Sequence, residues 1–272
     1  MRITFRSKSL VLFATILLMA ALFTTGCRSD RETVTIAGST SVQPISEELA
    51  VVFFLETGIR VEVMGGGSGA GIRAARAGTA DIGATSRDLN PEETGIEAVL
   101  VAMDGMAVIV HPENPVDDLS FEDLQRIFRG EITNWREVGG ADANIFIVNR
   151  EAGSGTHGAF REIVIGNDYE FTDTAIILNT TGAIREAVSN SINAIGYISI
   201  GGINDSIKTL TINGVGPTIE MIQAGKYPIA RPFNYIIVEG AQLSEAAQAF
   251  FDFAISEEGQ SIIKENGFVP IN

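Results

Sequence analysis

The sequence is poor in the residue types that build disulfide and metal sites. It holds one Cys among 272 residues, which excludes a disulfide scaffold and a Cys-rich metal site. It holds two His, His111 and His157, and no His-x-Glu-x-x-His pattern, so a structural zinc site is not expected. Basic residues are scarce: 19 Lys and Arg stand against 34 Asp and Glu, for a formal charge of −15. That balance argues against nucleic acid, whose phosphate backbone is met by clustered Lys and Arg. No Gly-x-x-x-x-Gly-Lys-Ser/Thr run occurs, so a P-loop is absent. No internal repeat or low-complexity tract is found. What is present, 45% hydrophobic and 19% charged residues, reads as globular, with chain enough for one large or two medium domains.

The N-terminus reads as an address. Arg2, Arg6 and Lys8 precede the apolar or small run Leu10 to Phe23, then Thr24-Thr25-Gly26-Cys27. This is the pattern of a secretory signal, and its fourteen apolar or small residues fall short of the roughly 20 of a spanning helix. It resembles a lipoprotein signal, in which the Cys after small residues is lipidated and becomes the new N-terminus. Thr24 departs from the Leu that such signals favour. Residues 1–26 are thus expected to be removed, leaving Cys27 lipidated, residues 27–32 as a tether and a mature charge of about −18.

From Thr33 on, strand-like runs alternate with helical stretches, which predicts α/β layers with mostly parallel sheets. Met106 to His111 reads as a strand, Thr156 to Ile165 as a helix, and Ser244 to Asn266 as one long helix. Trp135 and the cluster of Phe250, Phe251 and Phe253 read as core, His157 as a solvated helix-surface residue, and Asp81 as structural. Three junctions share a strand, then Gly and hydroxyl residues, then a helix: Gly38 to Pro44, Gly65 to Gly71, and Arg150 to Thr156. Helix N-termini, hydroxyl donors and close backbone approach at Gly suit a small oxyanion without net positive charge, and Arg150 can fork onto two of its oxygens. The bland reading, N-caps and turn residues, weakens as such junctions accumulate. Gly65-x-Gly67-x-x-Ala70 matches a dinucleotide fingerprint only loosely, and Ser154 with His157 makes a poor nucleophile–base pair at its spacing.

The segments Gly38-Ser39-Thr40-Ser41-Val42-Gln43-Pro44, Gly67-Ser68-Gly69, Asp81 to Arg87, Ile127 to Trp135 and Arg150 to Thr156 resemble the PstS family, the extracytoplasmic phosphate-binding proteins of the phosphate ABC transporter. The resemblance spans about Thr33 to Asn272. It implies a two-lobed α/β fold of the second periplasmic-binding-protein type, each lobe a mixed sheet flanked by helices, joined by two crossover segments. Lobe one would be residues 33–109 and 226–272, and lobe two residues 110–225. Phosphate would lie between them on Thr40, Ser41 and Ser68 from one side and Arg150, Ser154, Gly155 and Thr156 from the other. Longer members carry an Asp, which accepts the phosphate proton, where this chain has Ser86. That role falls to Ser86 or to Asp104, and Arg87 either joins the site or pairs with an acid. The implied protein is a high-affinity, monomeric, lipid-anchored, extracytoplasmic binder that hands phosphate to membrane permease subunits, with no cofactor, no metal and no chemistry of its own. Alternatives are another oxyanion (sulfate, molybdate or tungstate), a surface sensor or adhesin, or a secreted enzyme acting on a phosphorylated substrate.

Overall fold

A strand opens the described part of the molecule. The computed structural model describes residues 33–166 and 168–271, so the signal, Cys27 and the tether lie outside it. Strands are β1 (Thr33–Gly38), β2 (Arg60–Gly65), β3 (Ile82–Thr85), β4 (Ile96–Val110), β5 (Asp118–Leu119), β6 (Phe146–Arg150), β7 (Ile176–Leu178), β8 (Ala194–Ser199), β9 (Lys208–Thr209), β10 (Thr211–Ile212) and β11 (Ala230–Val238). Helices are α1 (Gln43–Thr57), α2 (Ser68–Arg76), α3 (Phe121–Phe128), α4 (Gly155–Phe160), α5 (Thr181–Ser189), α6 (Ile219–Gln223), α7 (Glu245–Ile255) and α8 (Glu257–Glu265).

The main sheet runs β2-β1-β3-β11-β4-β8-β6-β7, with β9 also on β4. Its flanks are parallel, β2-β1-β3 on one side and β8-β6-β7 on the other. Its centre is antiparallel, because β11 pairs β3 and β4 in reverse and β4 pairs β8 in reverse. The sheet is therefore mixed, as the family resemblance implies, and not mostly parallel as the alternation of strand-like and helical runs alone predicts. The reason is that β4 and β11 are not βαβ strands. Residues 96–105 of β4 pair β11 and residues 106–110 pair β8, so one fifteen-residue strand serves both halves. The strand expected over Met106–His111 is thus only the last part of β4.

Buried apolar residues divide in the same way. One core gathers Ile36, Ile45, Leu49, Phe53, Phe233 and Phe250. A second gathers Val108, Leu124, Phe128, Trp135, Phe160 and Tyr197, and a small third cluster gathers Ile72, Ala75, Ile96 and Ile236. In α1, Ile45, Leu49 and Phe53 recur every four residues and bury one face. Pro44 suits its first turn, and Gly58 (φ 74°) ends it by returning its N–H to the Phe54 carbonyl. Trp135 is buried, and its indole N–H donates to the Asn193 carbonyl at 3.0 Å. Phe53 and Phe250 meet edge-to-face at 5.3 Å.

Two helices depart from expectation. The long C-terminal helix is two, because Ser256 is extended (φ −68°, ψ 165°) and caps the second through the Gly259 N–H. The helix that opens at Gly155 turns into a π-helical stretch over Arg161–Ile165. His157 is not simply solvated: it is half-buried, with its ring 4.7 Å from that of Phe171.

Candidate oxyanion-binding site

β1, β3 and β6 end in loops that turn their polar residues toward one another. Ser39, Thr40 and Ser41 follow β1, Ser86 follows β3, and Arg150 ends β6 just before α4. Ser68 and Thr181 open α2 and α5. Ser39, Ser41, Ser68, Ser86, Arg150, Ser154, Thr156 and Thr181 are all buried. Burial of so many hydroxyls requires partners, and they find one another.

Ser41 Oγ lies 2.9 Å from Thr156 Oγ1 and 3.2 Å from Thr181 Oγ1, and Thr40 Oγ1 lies 3.5 Å from Thr181 Oγ1. Ser39 donates to Ser86 Oγ at 2.9 Å, and the Ser86 N–H donates to Ser68 Oγ at 3.1 Å. Ser154 caps α4, accepting from the N–H groups of Thr156 and His157 at 3.1 and 3.3 Å. Gly155 sits hard against Ser68 and Ser86. A Cβ there would come within 2.1 Å of Ser68 Oγ and 2.6 Å of Ser86 Oγ. Residues 39–41, 68 and 86 thus interlock with residues 150, 154–156 and 181.

The charge comes from two guanidiniums. Arg150 is 2% exposed. Its Nη2 donates to Thr40 Oγ1 at 3.3 Å and to the Asn179 carbonyl at 3.2 Å. Nε and Nη2 also reach the two Glu151 oxygens at 3.1 and 3.2 Å. The second is Arg231, which lies opposite Asp104 in the β11–β4 register. Both side chains are fully buried. Nε donates to Asp104 Oδ2 at 2.9 Å. Nη2 lies 2.8 Å from the same oxygen but off the axis of a hydrogen bond. Nη1 reaches Ser86 Oγ at 3.3 Å and the Ser86 carbonyl at 3.4 Å. Asp104 Oδ1 accepts from the Ser199 hydroxyl at 2.8 Å and the Ile200 N–H at 3.3 Å. Burial pushes the Asp104 carboxyl up and the Arg231 guanidinium down, and each charge opposes the shift of the other.

Most of the residues expected from sequence meet here: Thr40, Ser41, Ser68, Ser86, Arg150, Ser154, Gly155 and Thr156. Asp104 stands behind the cluster, with both oxygens engaged by Arg231, Ser199 and Ile200. Arg87 stands beside it and pairs with an acid. Its two terminal nitrogens meet the two Glu93 oxygens at 2.7 Å, and its Cδ packs against Gly158. Asp81 holds the Thr35 backbone N–H and hydroxyl at 2.8 and 2.7 Å, a structural role. Sequence reasoning missed Ser39, Thr181, Ser199 and Arg231. Ser39 sat inside the quoted Gly38 to Pro44 segment, and Thr180-Thr181 is a helix-start signal. Arg231, in an apolar strand, carried no signal. Among the described residues no group of three or more His, Cys, Asp and Glu is arranged to hold a metal ion.

The PBP superfamily domain matches residues 24–258 of this chain. The chain is therefore a member of that superfamily. It is 31% identical to the phosphate-binding protein PstS of Borreliella burgdorferi over 97% of this chain and 99% of that one. It is 33% identical to the phosphate-binding protein PstS of Bacillus subtilis, over 88% and 80%. Its fold superposes on the phosphate-bound crystal structure of a protein from Clostridium perfringens described as a phosphate ABC transporter substrate-binding protein. There the TM-score is 0.86 at 40% identity, over 89% of this chain and all of that one. An ABC-type phosphate transport receptor from Vibrio cholerae gives 0.72 at 35% identity, over 87% and 99%. The chain belongs to the PstS family.

Proposed function

We propose that this protein binds inorganic phosphate between its two cores and delivers it, outside the cytoplasm, to the permease of an ABC transporter. The observation that carries the reading is Arg150, buried to 2% exposure, reaching across to Thr40 while Ser41 of the same loop meets Thr156 at 2.9 Å. A guanidinium among hydroxyls, away from water, forms strong charge-assisted hydrogen bonds to a tetrahedral anion. In this reading Thr40, Ser41, Ser68 and Ser86 contact the anion from one side, and Arg150, Ser154, Gly155 and Thr156 from the other. Glu151 orients Arg150, Arg87 and Glu93 brace the rim, and the Asp104–Arg231 pair stands behind Ser86.

The two cores act as lobes, residues 33–109 with 226–272 and residues 110–225, hinged at β4 and β11. Ligand contacts from both lobes make binding and closure one event. The protein performs no chemistry and acts as a monomer. Lipidated Cys27 and the tether hold it at the membrane. Among the described residues no helix is long and apolar enough to cross a membrane. The likeness to the PstS relatives supports the ligand and the transporter.

Calorimetric titration of residues 28–272, stripped of bound anion, tests the proposal. One phosphate per chain is expected, and Arg150→Ala is expected to weaken it about a hundredfold. Silence toward phosphate, or turnover of a phosphate ester, would overturn it.

A further inference from the structure

The hydroxyl directions around the cluster determine which anions it can refuse. A hydroxyl has one proton to give and two lone pairs. At Ser86 Oγ both lone pairs are taken, by the Ser39 hydroxyl at 2.9 Å and by Arg231 Nη1 at 3.3 Å. Its own proton must point to a third partner, so Ser86 is a donor. The same holds at Ser154, whose oxygen accepts from two backbone N–H groups.

The carboxylates joined to the cluster are committed elsewhere. Asp104 receives Ser199 and Ile200 on one oxygen and Arg231 on the other. Glu151 gives one oxygen to Arg150 Nε and the other to Nη2. What remains is the chain Thr156–Ser41–Thr181–Thr40, in whose links either oxygen can be the donor. Such hydroxyls turn to accept from a protonated oxyanion or to donate to an unprotonated one, and neither orientation sets charge against like charge. A fixed carboxylate aimed at the ligand would instead repel an anion that brings no proton.

We propose that this site, a phosphate site on the reading above, also binds fully ionised tetrahedral dianions of the sulfate type. Arg231 is the positioning residue that makes Ser86 a donor. The site selects by shape and charge, and the ligand's proton is read only by reversible hydroxyls.

The test is calorimetric titration of residues 28–272, which contain the whole compact unit from Thr33, with sulfate and with phosphate in a buffer free of both. Sulfate is expected to bind one per chain, to be displaced by phosphate, and to have a Kd within about a hundredfold of phosphate's. Ser86→Ala is expected to weaken both anions by a similar factor, about tenfold, because a donor to both is lost. Ser86→Asp is expected to widen the gap about a hundredfold at the expense of sulfate. Arg231→Lys, whose ammonium ends one bond short of Nη1 and so frees a Ser86 lone pair to accept, is expected to widen the gap in favour of phosphate, and an unchanged gap would overturn the role given to Arg231. Phosphate bound with sulfate silent would leave the proposed function standing and overturn this inference. Selective loss of phosphate in Ser86→Ala or Glu151→Gln would overturn it too, by revealing a dedicated proton acceptor. Failure of both anions would instead sink the phosphate reading itself.

Discussion

At the scale of single residues, the site depends on what its neighbours leave out as much as on what they supply. Gly155 has no Cβ, and one placed there would strike Ser68 and Ser86 across the junction of the cores. Gly155→Ala must therefore hold the two sides apart. Overpacking of this kind costs about 1–3 kcal/mol, so phosphate affinity is expected to fall about tenfold to a hundredfold by calorimetry. Glu93 shows how a residue at the rim ties stability to pH. The hydrogen bonds from Arg87 hold its carboxyl below the ordinary value of 4.5. A folded value below the unfolded one stabilises above pH 4.5 and is lost as pH falls through the folded value. Glu93→Gln is expected to cost about 1 kcal/mol in urea melts at pH 7, a difference that shrinks as pH falls below 4.5 toward the folded value. Arg150 and its hydroxyl partners were legible in the sequence because Gly and hydroxyl residues before a helix carry their own chemistry. Arg231 was not, because its meaning lies in Asp104, 127 residues away and opposite it in the sheet.

At the scale of elements, caps and close approaches set the loops. Ser154 caps α4, Ser256 divides the C-terminal helices, and Ser120 caps α3 through the Asp123 N–H. α2 lies on β1 so closely that a Cβ at Gly71 would stand 2.4 Å from the Ala37 carbonyl oxygen and 2.7 Å from Gly38 Cα. Gly71→Ala is expected to lower stability by about 1–3 kcal/mol in denaturant titrations, since backbone gives way less readily than a side chain. The division at Ser256 was readable in principle, because Ser followed by Glu257 and Glu258 is a helix-start signal inside the apolar run. The π-helical stretch over Arg161–Ile165 left no such mark, since its apolar spacing resembles that of any helix.

At the scale of the whole molecule, one sheet serves two cores, and β4 and β11 are the strands common to both. A ligand gripped from both sides adds its binding free energy to the folded, closed form. At phosphate a hundredfold above its Kd, stability is expected to rise by about 2.7 kcal/mol. Thermal melts with and without phosphate measure this. A protein that melts alike in both has no such grip. Small-angle scattering is expected to show compaction on phosphate addition if the cores move as lobes.

The sequence by itself determined the α/β class, the acidic composition and the family, and it singled out the hydroxyl residues that meet Arg150. Each of these is written in local pattern: strand-like and helical runs, Gly and hydroxyl residues before helices, charge counts. Only the tertiary structure decided the antiparallel centre of the sheet, the pairing of Asp104 with Arg231, the commitment of Arg87 to Glu93, and the approach of both Ser39 and Arg231 to the Ser86 hydroxyl. These follow from strand pairing and lone-pair occupancy between residues far apart in the chain. A hydroxyl becomes a donor or an acceptor only when its surroundings have filled its other sites.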